Sequence, residues 1–105
     1  MEGTWRLQYN LEWDPSKARQ NLQKHGVSFE RAATVLLDSR ALSLFDRQHS
    51  DDEESWVTLG SDSGGAVLVV CHTYHEEPDE DAARIRIISA RKATRREQRQ
   101  YARKP

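Results

Sequence analysis

The stretch from Arg84 to Ala102 constrains the fold most. An alternating segment, Arg-Ile-Arg-Ile-Ile-Ser-Ala, gives way within a few residues to Thr94-x-x-Glu97, the signature of a capped helix. Alternation places Ile85 and Ile87 on one face of a strand and Arg84, Arg86 and Ile88 on the other. Such a strand needs a covered apolar side and leaves a basic side open. The same stretch concentrates charge: Arg84 to Pro105 holds nine Lys/Arg and one Glu, net +8, against seven Lys/Arg and sixteen Asp/Glu, net -9, before it. The overall charge of -1 therefore hides a polar molecule, suited to a polyanion at one face and a cationic partner at the other. A solvated basic tail is the plainer reading of the same residues.

At 105 residues and 36% hydrophobic content, the chain supports a single domain with one core over residues 1–105. Its longest apolar run, Ala66 to Cys71, is far short of the roughly 18 to 20 residues of a membrane span, and Met1 to Leu11 lacks a signal-peptide apolar region. A cytoplasmic protein without membrane contact is expected. The lone Cys71 cannot form an internal disulfide and reads as a buried structural thiol without chemistry.

The remaining elements follow from local signals. Leu7 to Trp13 reads as a short strand; Asp14 caps a helix that begins at Pro15 and stops at Gly26 after Lys24 or His25. Ser28 caps a second helix, with Phe29, Ala32, Ala33, Leu36 and Leu37 at core-facing spacing. Strands are expected over residues 41–45, 54–59, 66–73 and 83–90, with a turn at Asp62-Ser63-Gly64-Gly65 and a helix from Thr94 to about Arg103. The acidic segment Asp51 to Glu54 leads into a strand and Glu76 to Asp81 forms a hairpin tip. The expected class is α+β: two N-terminal helices and one C-terminal helix on an antiparallel sheet of about four to five strands.

Several segments carry a resemblance when taken in order. Glu12-Trp13-Asp14-Pro15, Asn21 to Glu30 (Asn-Leu-Gln-Lys-His-Gly-Val-Ser-Phe-Glu), His49-Ser50, Val69-Val70 with His72-Thr73, and Arg86 to Thr94 with Glu97 and Tyr101 resemble the BrnT family. The resemblance implies a compact RelE-like ribonuclease fold, RNA cleavage that inhibits translation, and neutralisation by a BrnA-like ribbon-helix-helix antitoxin. It further implies a 2:2 heterotetramer that touches operator DNA only through the antitoxin. Two positions depart from the family's pattern: Ser55 and His75 stand where Arg is common, and if either Arg binds the scissile phosphate the departure implies a weakened toxin or a different division of the work.

Metal-free RNA cleavage requires a base for the 2′-OH, an acid for the leaving 5′-oxygen and positive charge on the phosphate. Arg91 and Lys92, with Arg86 beneath them, are the phosphate-stabilising candidates, and Arg84, Arg95 and Arg96 extend the basic surface for RNA. An ion pair of Arg86 with the acidic residues 51–54 is the structural alternative. Lys24 and His25 close the first helix, where His25 serves either as a cap or as an acid; His49 precedes the acidic run and serves as a proton carrier or a turn anchor. Glu53 or Glu54 could act as base, with Glu54 better placed to orient a histidine. His72 and His75, three apart on a strand, face opposite sides, and no metal or cofactor is expected. Two competing functions use the same residues: a non-catalytic binding protein acting as antitoxin partner and co-repressor, and a DNA-binding regulator, for which no basic recognition helix is evident.

Overall fold

In the computed structural model, which describes residues 8–49, 53–78 and 81–103, nine short elements follow one another. They are strand β1 (Gln8–Glu12), helices α1 (Pro15–His25) and α2 (Phe29–Val35), strand β2 (Leu42–Phe45), a 3-10 turn (Arg47–His49), strands β3 (Glu54–Ser61), β4 (Val67–Glu77) and β5 (Ala82–Lys92), and helix α3 (Arg95–Ala102). Leu7, Ser50, Asp51, Asp52, Asp79 and Glu80, which the sequence reading used, lie outside the described residues.

The five strands form one sheet in the order β1-β5-β4-β3-β2. Strands β2 to β5 pair antiparallel, as alternating segments joined by short turns should. The sheet is nevertheless mixed, because β1 lies parallel to β5, with Glu12 beside Arg86. Two helices and three strands separate β1 from its neighbour, a long crossover of the kind parallel pairing requires, and local pattern does not reveal it.

Helix α1 has the expected ends. Asp14 accepts from the Ser16 N–H at 2.9 Å, Pro15 opens the helix, and Gly26 takes φ 69° while its N–H donates to the Leu22 carbonyl. Helix α2 begins at Ser28 as expected but stops at Val35. The amides of Leu36, Leu37 and Asp38 donate to carbonyls three residues back, so the last turn tightens and rotates Leu37 outward, where it is 75% exposed. The core face of α2 is thus Phe29, Ala32 and Val35, with Ala33 and Leu36 partly buried, rather than the five residues the spacing suggested.

Both helices cover one face of the sheet. Val27, Phe29, Ala32 and Val35 pack on Leu68 and Val70 of β4 and on Ile87 and Ala90 of β5, and Trp13 meets Phe29 edge to face at 6.0 Å. The buried Asn21 side chain joins α1 to β5: its amide donates to the carbonyls of Val27 (3.0 Å) and Ala90 (2.8 Å), and its oxygen accepts from the Ala90 N–H (3.1 Å). At Gly60 a Cβ would lie 3.0 Å from both Ala41 and Val35, so α2 approaches β3 as closely as a side-chain-free position allows.

The pairing of β4 with β5 contains an irregularity that positions the site. Cys71 stands opposite Ser89 and His72 opposite Ile87, which leaves Ile88 as an extra residue. Beyond this bulge the alternation is reset. Ile85, Ile87 and Ala90 face the helices, whereas Arg84, Arg86, Ser89 and Arg91 fall on the open face. Both long strands run further than their patterns suggested: Glu76 and Glu77 remain in β4, and the Asp81 N–H donates to the Pro78 carbonyl before β5 begins.

Candidate functional site

A cleft of about 380 Å³ opens where β3, β4 and β5 meet, on the face of the sheet opposite α1 and α2, lined by Asp46, His49, Ser55, Cys71, Thr73 and Ser89, with Trp56, His72 and Ile88 also reaching it. The bulged Ile88 and the short 3-10 turn shape it. That turn is organised by Asp46, whose carboxylate accepts from the Gln48 N–H (3.2 Å) and holds His49 Nδ1 at 2.8 Å. Ser55 Oγ donates to the His49 carbonyl at 2.6 Å, so β3 braces the turn from its other end. The Asp46 contact engages Nδ1 and turns Nε2 away from it, and the His49 side chain is 73% exposed.

Arg86 sits beside this cleft between two carboxylates. Its Nε lies 3.3 Å from Glu12 and its Nη1 3.2 Å from Glu53, and its backbone N–H donates to Thr73 Oγ1 at 3.1 Å. The ion pair that alternation left open is therefore present, with a second carboxylate from β1. Arg91 is held by Glu97 through two hydrogen bonds of 2.8 and 2.9 Å, and Glu97 also accepts from the Thr94 N–H, completing the capping box. The Arg91 guanidinium, aided by the Thr94 N–H, lowers the Glu97 carboxyl to about 2. Lys92, Arg95 and Arg96 are exposed around the start of α3, and Arg84 is exposed on the open face.

The remaining candidates are distributed elsewhere. Lys24 and His25 occupy the last turn of α1 on the helix-covered side, one turn beyond Asn21, and do not line the cleft. Glu54 does not orient His49. It pairs with Tyr74 on the opposite face and accepts from Trp56 Nε1 at 3.2 Å, because strand alternation turns it away from Ser55. Asp46 takes that role instead, and the Asp-x-x-His spacing was the readable signal for it. Cys71 is only half-buried and opens to the cleft, since its strand turns the opposite residues, Val70 and His72, inward.

His72 and His75 lie on opposite faces. His75 is exposed across from Arg84, while His72 is buried, with Nε2 2.7 Å from Thr58 Oγ1 and Nδ1 3.0 Å from the Thr73 carbonyl. Burial pushes the His72 imidazole below its usual range and keeps it neutral. Thr58 Oγ1 is also 2.8 Å from Ser43 Oγ, so a polar chain crosses β2, β3 and β4. Of the two positions that depart from the family pattern, Ser55 lines the cleft and His75 does not.

Residues 13–97 match the family described as "Ribonuclease toxin, BrnT, of type II toxin-antitoxin system". Among solved structures, the chain is similar to the crystal structure of the Brucella abortus ribonuclease toxin BrnT, with 19% sequence identity and a TM-score of 0.56, over 84% of this chain and 99% of that one. At that identity the likeness shows the fold. No curated protein sequence matches the chain.

Proposed function

As this chain belongs to the BrnT family of ribonuclease toxins of type II toxin–antitoxin systems, a family that acts with an antitoxin partner, we propose that it is an endoribonuclease working through metal-independent acid–base chemistry on its open sheet face. The observation that carries this reading is the Asp46–His49 pair lining a cleft beside Arg86. Nε2 of neutral His49 accepts the proton of a ribose 2′-OH, whose oxygen attacks the adjacent phosphorus. Charge that builds on the phosphate oxygens is met by Arg86 once the phosphate displaces Glu12 or Glu53 from its guanidinium. The 5′-oxygen departs with a proton taken from solvent water and His49 returns its own proton to solvent, which leaves a 2′,3′-cyclic phosphate and a 5′-hydroxyl. Arg84, Arg91 and Lys92, with Arg95 and Arg96, guide the flanking backbone. Lys24 and His25 are assigned to the carbonyl end of α1, whose dipole they complement.

Cleavage of cellular RNA on this scheme inhibits translation, and the antitoxin is a BrnA-like ribbon-helix-helix protein that joins a 2:2 heterotetramer and supplies operator binding. Purified protein incubated with RNA in excess EDTA tests the chemistry. Cleavage should persist, and His49→Ala and Arg86→Ala should each lower its rate about a hundredfold or more with folding retained. A strict Mg²⁺ requirement or 5′-phosphate products would reject the mechanism. A second reading, a non-catalytic co-repressor, is favoured by the carboxylates that already neutralise Arg86 and Arg91; it expects no cleavage by the wild-type chain.

A further inference from the structure

Helices α1 and α2 leave part of their own side of the sheet uncovered, and the residues there are aromatic and acidic. Tyr9 (44% exposed), Leu11 (40%) and Phe45 (44%) are open to solvent, and Phe45 meets Trp56 edge to face at 5.3 Å. Glu54 holds the Trp56 indole N–H. Tyr74 stands opposite Glu54, Tyr9 and Glu76 both stand opposite Ala83, and Tyr9 and Tyr74 line one hollow; burial and the neighbouring Glu76, Tyr9 and Glu54 push the Tyr74 phenol up. A hollow of about 460 Å³ at the end of the sheet joins this side, through Glu54, Tyr74 and Glu76, to Glu53 and His75 at the edge of the open face.

We infer that this acidic, aromatic surface is the seat of a cationic amphipathic segment of the antitoxin, on the side of the sheet away from the RNA cleft. The inference rests on membership of a type II toxin family, which supplies an antitoxin, and it deepens the proposed function by locating that partner. Carboxylates beside aromatic rings form a receptor for Lys and Arg side chains through ion pairs and cation–π contacts, while Tyr9, Leu11 and Phe45 receive apolar neighbours. The same carboxylates repel a polyanion, so RNA does not compete for this face.

A second copy of this chain offers a complementary charge in its own basic β5 and α3 surface. A contact between the basic face of one copy and the acidic face of the next is heterologous, however, and generates open chains of molecules instead of a closed pair. A separate partner satisfies the surface without that consequence.

The test uses the full chain and, as probe, the antitoxin translated from the adjoining reading frame, with binding followed by calorimetry. Tyr9→Ser combined with Glu76→Lys should weaken antitoxin binding by about a hundredfold, since centrally placed aromatic and charged contacts each carry about tenfold or more. Cleavage of RNA by the same variant without antitoxin should equal that of wild type. Should the double variant fail to fold, Glu76→Lys alone, at an exposed position, should still weaken binding about tenfold and flatten its salt dependence. Unchanged antitoxin affinity in a folded variant overturns the inference. So does concentration-dependent self-association of the wild type that the variant loses while antitoxin binding stays intact, which would assign the surface to a second copy. Lost antitoxin binding with no RNA cleavage by either protein would keep the docking surface and reject the ribonuclease reading.

Discussion

At the scale of single residues, the site depends on partners that fix otherwise mobile groups. His49 was visible in the sequence as a titratable group beside an acidic run, but the carboxylate that orients it was assigned to Glu54. Alternation along β3 sends Glu54 to the other face, and Asp46, three residues upstream on the same turn, takes the role. Glu12 could not be read as a partner of Arg86, because 74 residues and a parallel crossover separate them. Ser55 lies in the cleft and braces the His49 carbonyl. Ser55→Arg should place a guanidinium among the cleft residues and raise single-turnover RNA cleavage, while loss of the 2.6 Å hydrogen bond lowers stability by about 1 kcal/mol. Both are measured on one pair of proteins, by quenched-flow cleavage and by melting temperature. A variant that cleaves no faster would remove position 55 from phosphate binding. Glu97 gives a second test. Its folded pKa of about 2 lies below its ordinary 4.5, so the stability it contributes is full above about 4.5 and is lost as pH falls toward about 2. Melting temperature followed across that window should fall in the wild type and fall less in Glu97→Gln; equal slopes would show that Glu97 binds protons alike in the folded and unfolded chain and would reject the contribution of the Arg91–Glu97 pair.

At the scale of elements, helix ends were the most legible part of the sequence. Asp14, Gly26, Ser28 and the Thr94–Glu97 box all act where their chemistry placed them, because caps are local interactions. The C-terminal end of α2 was not legible, since a tightened last turn rather than a stop residue ends it. Nor was the bulge. Strict alternation through Arg84 to Lys92 would bury Ser89 and Arg91 and expose Ala90; the extra residue Ile88 reverses all three and brings Ser89 and Arg91 to the open face beside Arg86. Asn21 holds this arrangement in register from the helix side. Asn21→Leu should cost about 3 kcal/mol, because the Ala90 N–H and two carbonyls lose their partner inside the core. Urea unfolding measures the cost, and a loss below about 1 kcal/mol would mean that water replaces the amide.

At the scale of the whole molecule, charge separation gives the chain a direction. Basic side chains of β5 and α3 lie on or near the open face, and Glu54 and Glu76 lie with the aromatic residues on the other. RNA binding should therefore weaken steeply with salt. If Arg84, Arg86 and Arg91, with one of the exposed bases around α3, neutralise three to four phosphates, log K should fall with log salt at a slope of about -2 to -3 for a single strand. Titration of a fluorescent oligonucleotide at several salt concentrations reads this directly, and a slope near zero would place RNA elsewhere.

The pairing of β1 with β5 also sets a schedule for the protein's synthesis. Glu12 is made early, yet it meets Arg86 only after every intervening strand and both helices have left the ribosome. No partial chain that has yet to expose β5 can contain the cleft, since two of its walls, Ile88 and Ser89, belong to that strand. A nascent chain thus holds no formed cleft until β5 has emerged, and the site is completed late, when the first strand finds the last.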